Sequence, residues 1–155
     1  MRPLVVAVLL TLSASGCATV FGGGGSTDVV QSVSISADSL LRVATTQLQH
    51  HGFVVTPVGD RSVFTTPRPV PTWLVEKDAT MKDRQWVVEV HAAPHFLARG
   101  TRLEVTGYML PESSTRPAAG SAPNVQNAIE ITSKHALYPE VRAVAGWIAD
   151  AARRK

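Results

Sequence analysis

The residues best equipped for chemistry in this 155-residue chain are five histidines and one cysteine. His91 and His95 have the spacing of a metal-binding pair, since on one strand both would face the same side. Pro94 interrupts that strand, however, and no cysteine or carboxylate stands beside them at ligand spacing, so no metal site is expected. His50 and His51 close a helical pattern, where they suit the negative end of a helix as cations. No serine occupies a G-x-S-x-G elbow, which leaves only a hydrolase site assembled in space as a catalytic alternative. Glu89 and Glu104 fall on a polar strand face beside Arg102, an arrangement that fits solvated charge pairs better than paired acid and base. The run Gly22 to Gly25 lacks both the P-loop lysine and the dinucleotide-binding spacing. These residues together predict no catalysis, no metal and no cofactor.

The cysteine stands apart from them. Arg2, an apolar run from Leu4 to Leu12 and the small residues Ser13 to Gly16 form the three regions of an export signal, assigned to residues 1–16. The apolar run is far shorter than the roughly 20 residues that span a bilayer. The boundary Ser13-Ala14-Ser15-Gly16-Cys17 resembles the lipobox of bacterial lipoproteins, with Ala14 where leucine is commonest. That resemblance implies a diacylglycerol on the Cys17 thiol, cleavage before Cys17 and acylation of its freed amine. The competing reading makes Cys17 incidental to a plain secretory signal. A lone cysteine forms no internal disulfide, so the fold must stand on its core in an oxidising compartment. Two or three acyl chains, at about 0.8 kcal/mol per buried CH₂, would hold the chain to a lipid bilayer. Ala18, rather than aspartate, follows the cysteine, and the sorting pattern of enteric lipoproteins then implies the outer membrane, facing the periplasm.

Composition bounds the rest. With 45% hydrophobic and 17% charged residues, the chain supports one domain with a real core. Of its 15 Lys and Arg, Arg2 leaves with the signal, so 14 remain against 12 Asp and Glu. That balance is too slight to suggest nucleic acid. Arg153, Arg154 and Lys155 fit a helix C-terminus, with anionic headgroups as the other partner for such a tail.

The elements that position these residues follow from periodicity. Residues 17–32 read as the lipidated cysteine and a glycine-rich tether, with a coil dimension of roughly 20 Å from Ala18 to Ser32. The domain is assigned to 33–155. A helix starts near Ser34 to Ser36, carries Leu40, Leu41, Ala44 and Leu48 on one face, and stops at Gly52. Phe53 to Thr56 and Ser62 to Thr66, joined at Gly59-Asp60, read as a hairpin. Pro67, Pro69 and Pro71 predict a stiff extended segment through Trp73, and Lys77 to Arg84 a charged turn. Trp86, Val88, Val90 and Ala92 alternate on one face of a strand, interrupted only by Val87. Leu103, Val105, Gly107 and Met109 do so on the next. Residues 111–123 read as a flexible loop rich in Ser, Pro, Ala and Gly. Asn127 to Ser133 fits strand or helix, with the extended form favoured. Pro139 opens a final helix with an apolar stripe at Val141, Val144, Ala145, Ile148 and Ala152.

The expected fold is therefore α+β and two-layered, with about four antiparallel strands and an N-terminal and a C-terminal helix on one face. Its element order, and the helix-Gly-Phe-hairpin start over Leu40 to Thr66, resemble the helix-grip domains of BamC-like outer-membrane lipoproteins. The resemblance implies an assembly or scaffold role. The expected function is a non-catalytic binding or scaffold module with an envelope protein partner, and Trp73, Tyr108 and Trp147 are the candidate contact aromatics. All three equally suit core or edge packing. The alternative is a carrier or sensor of a small apolar or lipid ligand, which requires an open cavity.

Overall fold

The computed structural model describes residues 29–95, 100–112, 117–118 and 120–155. The export signal, Cys17 and most of the expected tether lie outside the described residues.

The chain is α+β around one antiparallel sheet, in which seven strands are described. The expectation of about four falls short because three strands carry little or no signature of their own. β1 (Val29–Val33) begins inside the stretch read as tether, and β4 (Arg68–Pro69) and β7 (Ile129–Glu130) are only two residues long. The others are β2 (Val55–Val58), β3 (Ser62–Thr65), β5 (Gln85–Pro94) and β6 (Thr101–Met109). The main order is β1-β6-β5-β3-β2, with β4 added to β5 and β7 to β6.

Helix α1 (Ala37–His50) starts where Ser36 accepts the Ser39 amide on its hydroxyl at 3.3 Å. Its buried stripe is Leu40, Val43, Ala44 and Leu48. It stops at Gly52, whose φ of 77° is open to glycine at little cost. The Gly52 amide donates to the Gln49 carbonyl at 3.0 Å and Phe53 to Leu48 at 2.9 Å, the two bonds of a Schellman cap. Phe53 and Leu48 both enter the core, so the cap also aims the chain into β2.

The proline segment differs from its expected form. Arg68–Pro69 pairs with Trp86 and Gln85 of β5, and the chain then turns into a short helix α2 (Thr72–Lys77). Pro71 stands at its N-cap, where a missing amide costs nothing. A 3₁₀ turn over Ala79–Met81 follows, held by Asp78, whose carboxylate accepts from the Thr80 hydroxyl and amide. Those bonds hold the Asp78 carboxyl below its ordinary range.

Helix α3 (Tyr138–Arg153) packs against α1, β1 and β6. Its stripe of Val141, Val144, Ala145, Ile148, Ala149 and Ala152 meets Val88, Val90, Leu103 and Val105 in one core. The closest approach is at Gly107, where an added Cβ would stand 2.5 Å from Val141 Cγ2 and 3.0 Å from Ile131 Cδ1. Of the ambiguous Asn127 to Ser133 stretch, only Ile129–Glu130 forms a strand, and Ile131 is fully buried.

Candidate functional site

Alternation along β5 and β6 divides their side chains between two faces. Trp86, Val88, Val90 and Ala92 turn toward the helices, while Val87, Glu89 and His91 turn the other way. This second face gathers the chain's polar groups. Register sets Ser62 of β3 opposite His91 of β5, and His91 opposite Glu104 of β6. The Ser62 hydroxyl lies 2.8 Å from His91 Nδ1. Glu104 is held by the Arg102 guanidinium in an ion pair. Two residues along the strand from His91, the Tyr108 hydroxyl donates to Glu89 Oε2 at 3.1 Å.

A serine, a histidine and a carboxylate thus share one row. A serine–histidine contact is the first link of an acyl-transfer relay, which also needs a carboxylate on the second imidazole nitrogen and an oxyanion hole. Here Glu104 is engaged by Arg102, and the groups stand on a sheet face. Of this row only Ser62 borders a described cleft, the one between α1 and Pro57, while His91 and Glu104 border none of those described. Cross-strand pairs of this type act mainly to fix register. Among the described residues no group of three or more His, Cys, Asp and Glu is placed to hold a metal ion.

The other end of this face is apolar. Phe64, Val87 and Leu110 are buried yet lie apart from the main core. The connection after β6 reaches the β2 edge. It leaves at Leu110, returns to β6 as β7, and between those points Pro117, Ala118, Gly120 and Ser121 reach β2 at the far edge. Pro123, on the described part of this connection, is buried.

The aromatics expected to make contacts fall in different places. Tyr108 is half-buried on the second sheet face, bonded to Glu89. Trp147 is on the helix layer, stacked on His51, so the sheet separates it from Tyr108. Trp73 lies on α2, 38% exposed, with the Lys77 ammonium 5.4 Å from its ring centre. Sequence reasoning passed over Arg68, whose guanidinium sits 4.2 Å above the Phe53 ring. It also passed over Arg84 Nε and Trp86 Nε1, which are buried without a hydrogen-bond partner among the described residues.

No family model matches the chain, and no curated protein matches it.

Space for a small ligand lies at the periphery. Between helices and sheet, Leu40, Leu48, Val90, Leu103, Val105 and Ile148 are fully buried and fill the interior. The roomiest cleft described, of about 560 Å³, lies beside the β2 edge, walled by Val54, Val55, Pro57, Pro67 and Pro117. A second, of about 380 Å³, separates Leu41 and Thr45 of α1 from Pro57 and Val63.

Proposed function

We propose that this chain is a lipid-anchored envelope protein whose domain binds another macromolecule and catalyses no reaction. The observation that carries the reading is the state of its reactive side chains. Ser62 and His91, and Tyr108 and Glu89, are committed to one another across neighbouring strands, and Arg102 and Glu104 along β6. The anchor rests on the sequence around Cys17, and with it the outer-membrane location and the scaffold role among envelope proteins. Loss of the acyl chains removes the strongest membrane attachment in such a chain.

The test compares wild type with Cys17→Ser in membrane fractionation, metabolic labelling with palmitate and crosslinked pulldown from intact cells. Wild type is expected in the membrane fraction, labelled, with a reproducible envelope protein attached. Cys17→Ser is expected to lose the label and the membrane association. Retention of both in Cys17→Ser refutes the anchor. Absence of any protein partner, with a lipid co-purifying instead, refutes the scaffold.

The second reading is a carrier of an uncharged apolar ligand, favoured by the cleft beside β2. Its volume lies within the roughly 300–1,000 Å³ of small-molecule sites, and its described walls carry no charge.

A further inference from the structure

β1 ends the sheet, bonded to β6 on one side and paired with no described segment on the other. The register identifies the backbone groups left over. In the β5–β6 hairpin the His95 amide donates to Gly100 at 3.3 Å and the Leu110 amide to Gln85 at 2.8 Å. Antiparallel ladders alternate, so Arg102, Glu104, Thr106 and Tyr108 bond toward β5 and the residues between them bond the other way. The bond of 2.8 Å from the Ile131 amide to the Gly107 carbonyl agrees with that phase. Thr101, Leu103 and Val105 therefore bond to Val33, Gln31 and Val29. Val30 and Ser32 turn both their amides and their carbonyls away from the sheet.

The opposite edge is guarded differently. The Thr66 amide donates to Val54 at 2.8 Å, so Val54, Thr56 and Val58 face β3 and leave Val55 and Pro57 outward. Pro57 has no amide to offer, which is a standard protection of an edge strand. β1, Val29-Val30-Gln31-Ser32-Val33, has no proline and no charge.

We propose that β1 pairs antiparallel with β1 of a second copy of this chain, with Gln31 on the two-fold axis. This extends the proposed function by naming a partner, and it rests on the fold alone. In this register Val30 faces Ser32 of the second copy, and each such pair exchanges two N–H···O bonds. Val29 faces Val33, and the Arg153 guanidinium that donates to Gln31 at 3.0 Å beside the axis is also held by Asp150 at 2.9 Å, so each copy brings an ion pair rather than a bare charge. Centring the axis on Val30 or Ser32 instead brings residues 28 or 34, outside the strand, into the pairing. The two-fold contact is self-complementary and closes, so it gives a dimer rather than a fibre. Five paired residues bury less than the roughly 1,000 Å² of a stable interface, so the dimer is weak when dilute and fills when the chain is concentrated.

Three single substitutions test the register in membranes of cells making the full chain: Val30→Cys, Gln31→Cys and Ser32→Cys, under mild oxidation. On the axis, residue 31 meets its own copy in a non-hydrogen-bonded pair with Cα atoms about 4.5 Å apart, within disulfide range. Residues 30 and 32 face each other, so each lies more than about 7 Å from its own copy. Gln31→Cys is expected to yield several-fold more disulfide-linked dimer than either neighbour, with wild type, carrying Cys17 alone, as the background. Adding Ser32→Pro to Gln31→Cys removes an amide that faces away from β6, and is expected to abolish the dimer while circular dichroism stays unchanged. Gln31→Cys alone, in purified Cys17→Ser chain at millimolar concentration, is expected to crosslink as well, which separates the pairing from the anchor. Equal yields at all three positions, no dimer from folded Gln31→Cys, or a disulfide to a different protein overturns the proposal.

Discussion

The imidazole of His51 lies flat on the indole of Trp147, with ring centroids 3.6 Å apart and planes 7° from parallel. This contact joins the last turn of α1 to α3, and His50 meets the edge of His51 at 5.4 Å. Aromatic pairs contribute about 0.5–1.5 kcal/mol beyond their buried area. A double-mutant cycle with His51→Ala and Trp147→Ala, read from urea midpoints, is expected to give a coupling of that size. A coupling near zero would mean that the stack is incidental to the helix pairing.

Gly107 sets the distance between α3 and the sheet. Val141, against which a Cβ at this position would press, is fully buried and stiff at χ1. Gly107→Ala is expected to cost about 1–3 kcal/mol by overpacking. Combining it with Val141→Ala opens the needed space, so the double variant is expected to lose less than the two single losses added. Strict additivity in chemical denaturation would argue against the contact.

The elements legible in the sequence were those whose pattern is local. The stripes of α1 and α3, the Gly52-Phe53 stop and the alternation of β5 and β6 follow from spacing within about a dozen residues. Val87 broke the alternation because it is apolar on the second face, where it is fully buried. β1 was hidden because its partner, Thr101 to Val105, lies some seventy residues away. The fixed φ of Pro71 suits an extended chain and a helix start alike, and here it opens a helix. The Ser62–His91 contact joins residues 29 apart through the register of β3 on β5, and no spacing rule reports it. Trp73, Tyr108 and Trp147 were chosen by type, and type alone carries no position.

His135 acts at the start of α3. Its Nδ1 accepts the Leu137 amide at 3.1 Å, and its backbone carbonyl accepts from Tyr138 at 3.0 Å. Burial lowers its pKa below the ordinary histidine value. The unfolded chain therefore takes up a proton that the folded chain resists, so this contribution is complete above about pH 6.5 and is lost as the pH falls through that value toward the folded pKa. Protonation also removes the acceptor. His135→Asn keeps an acceptor at the same position without titrating. Its urea midpoint is expected to fall less than that of wild type between about pH 7.5 and pH 5. Parallel pH profiles for the two proteins would count against a role for His135.

Thr65 joins β3 to the start of β4 along β5. The ladder pairs Phe64 with Glu89 and resumes at Arg68 opposite Trp86, leaving Val87 and Val88 between. The Val88 amide donates instead to the Thr65 hydroxyl at 2.9 Å, and both residues are fully buried. Thr65→Val keeps the shape and strands that amide without a partner, at a cost of about 1–3 kcal/mol. Thr65→Ser retains the hydroxyl and loses one methyl, for which about 1 kcal/mol is expected. The order of urea midpoints should therefore be wild type, then Ser, then Val, although valine is the better strand former. A Val variant as stable as the Ser variant would show that hydrophobic burial, and not this hydrogen bond, holds the junction.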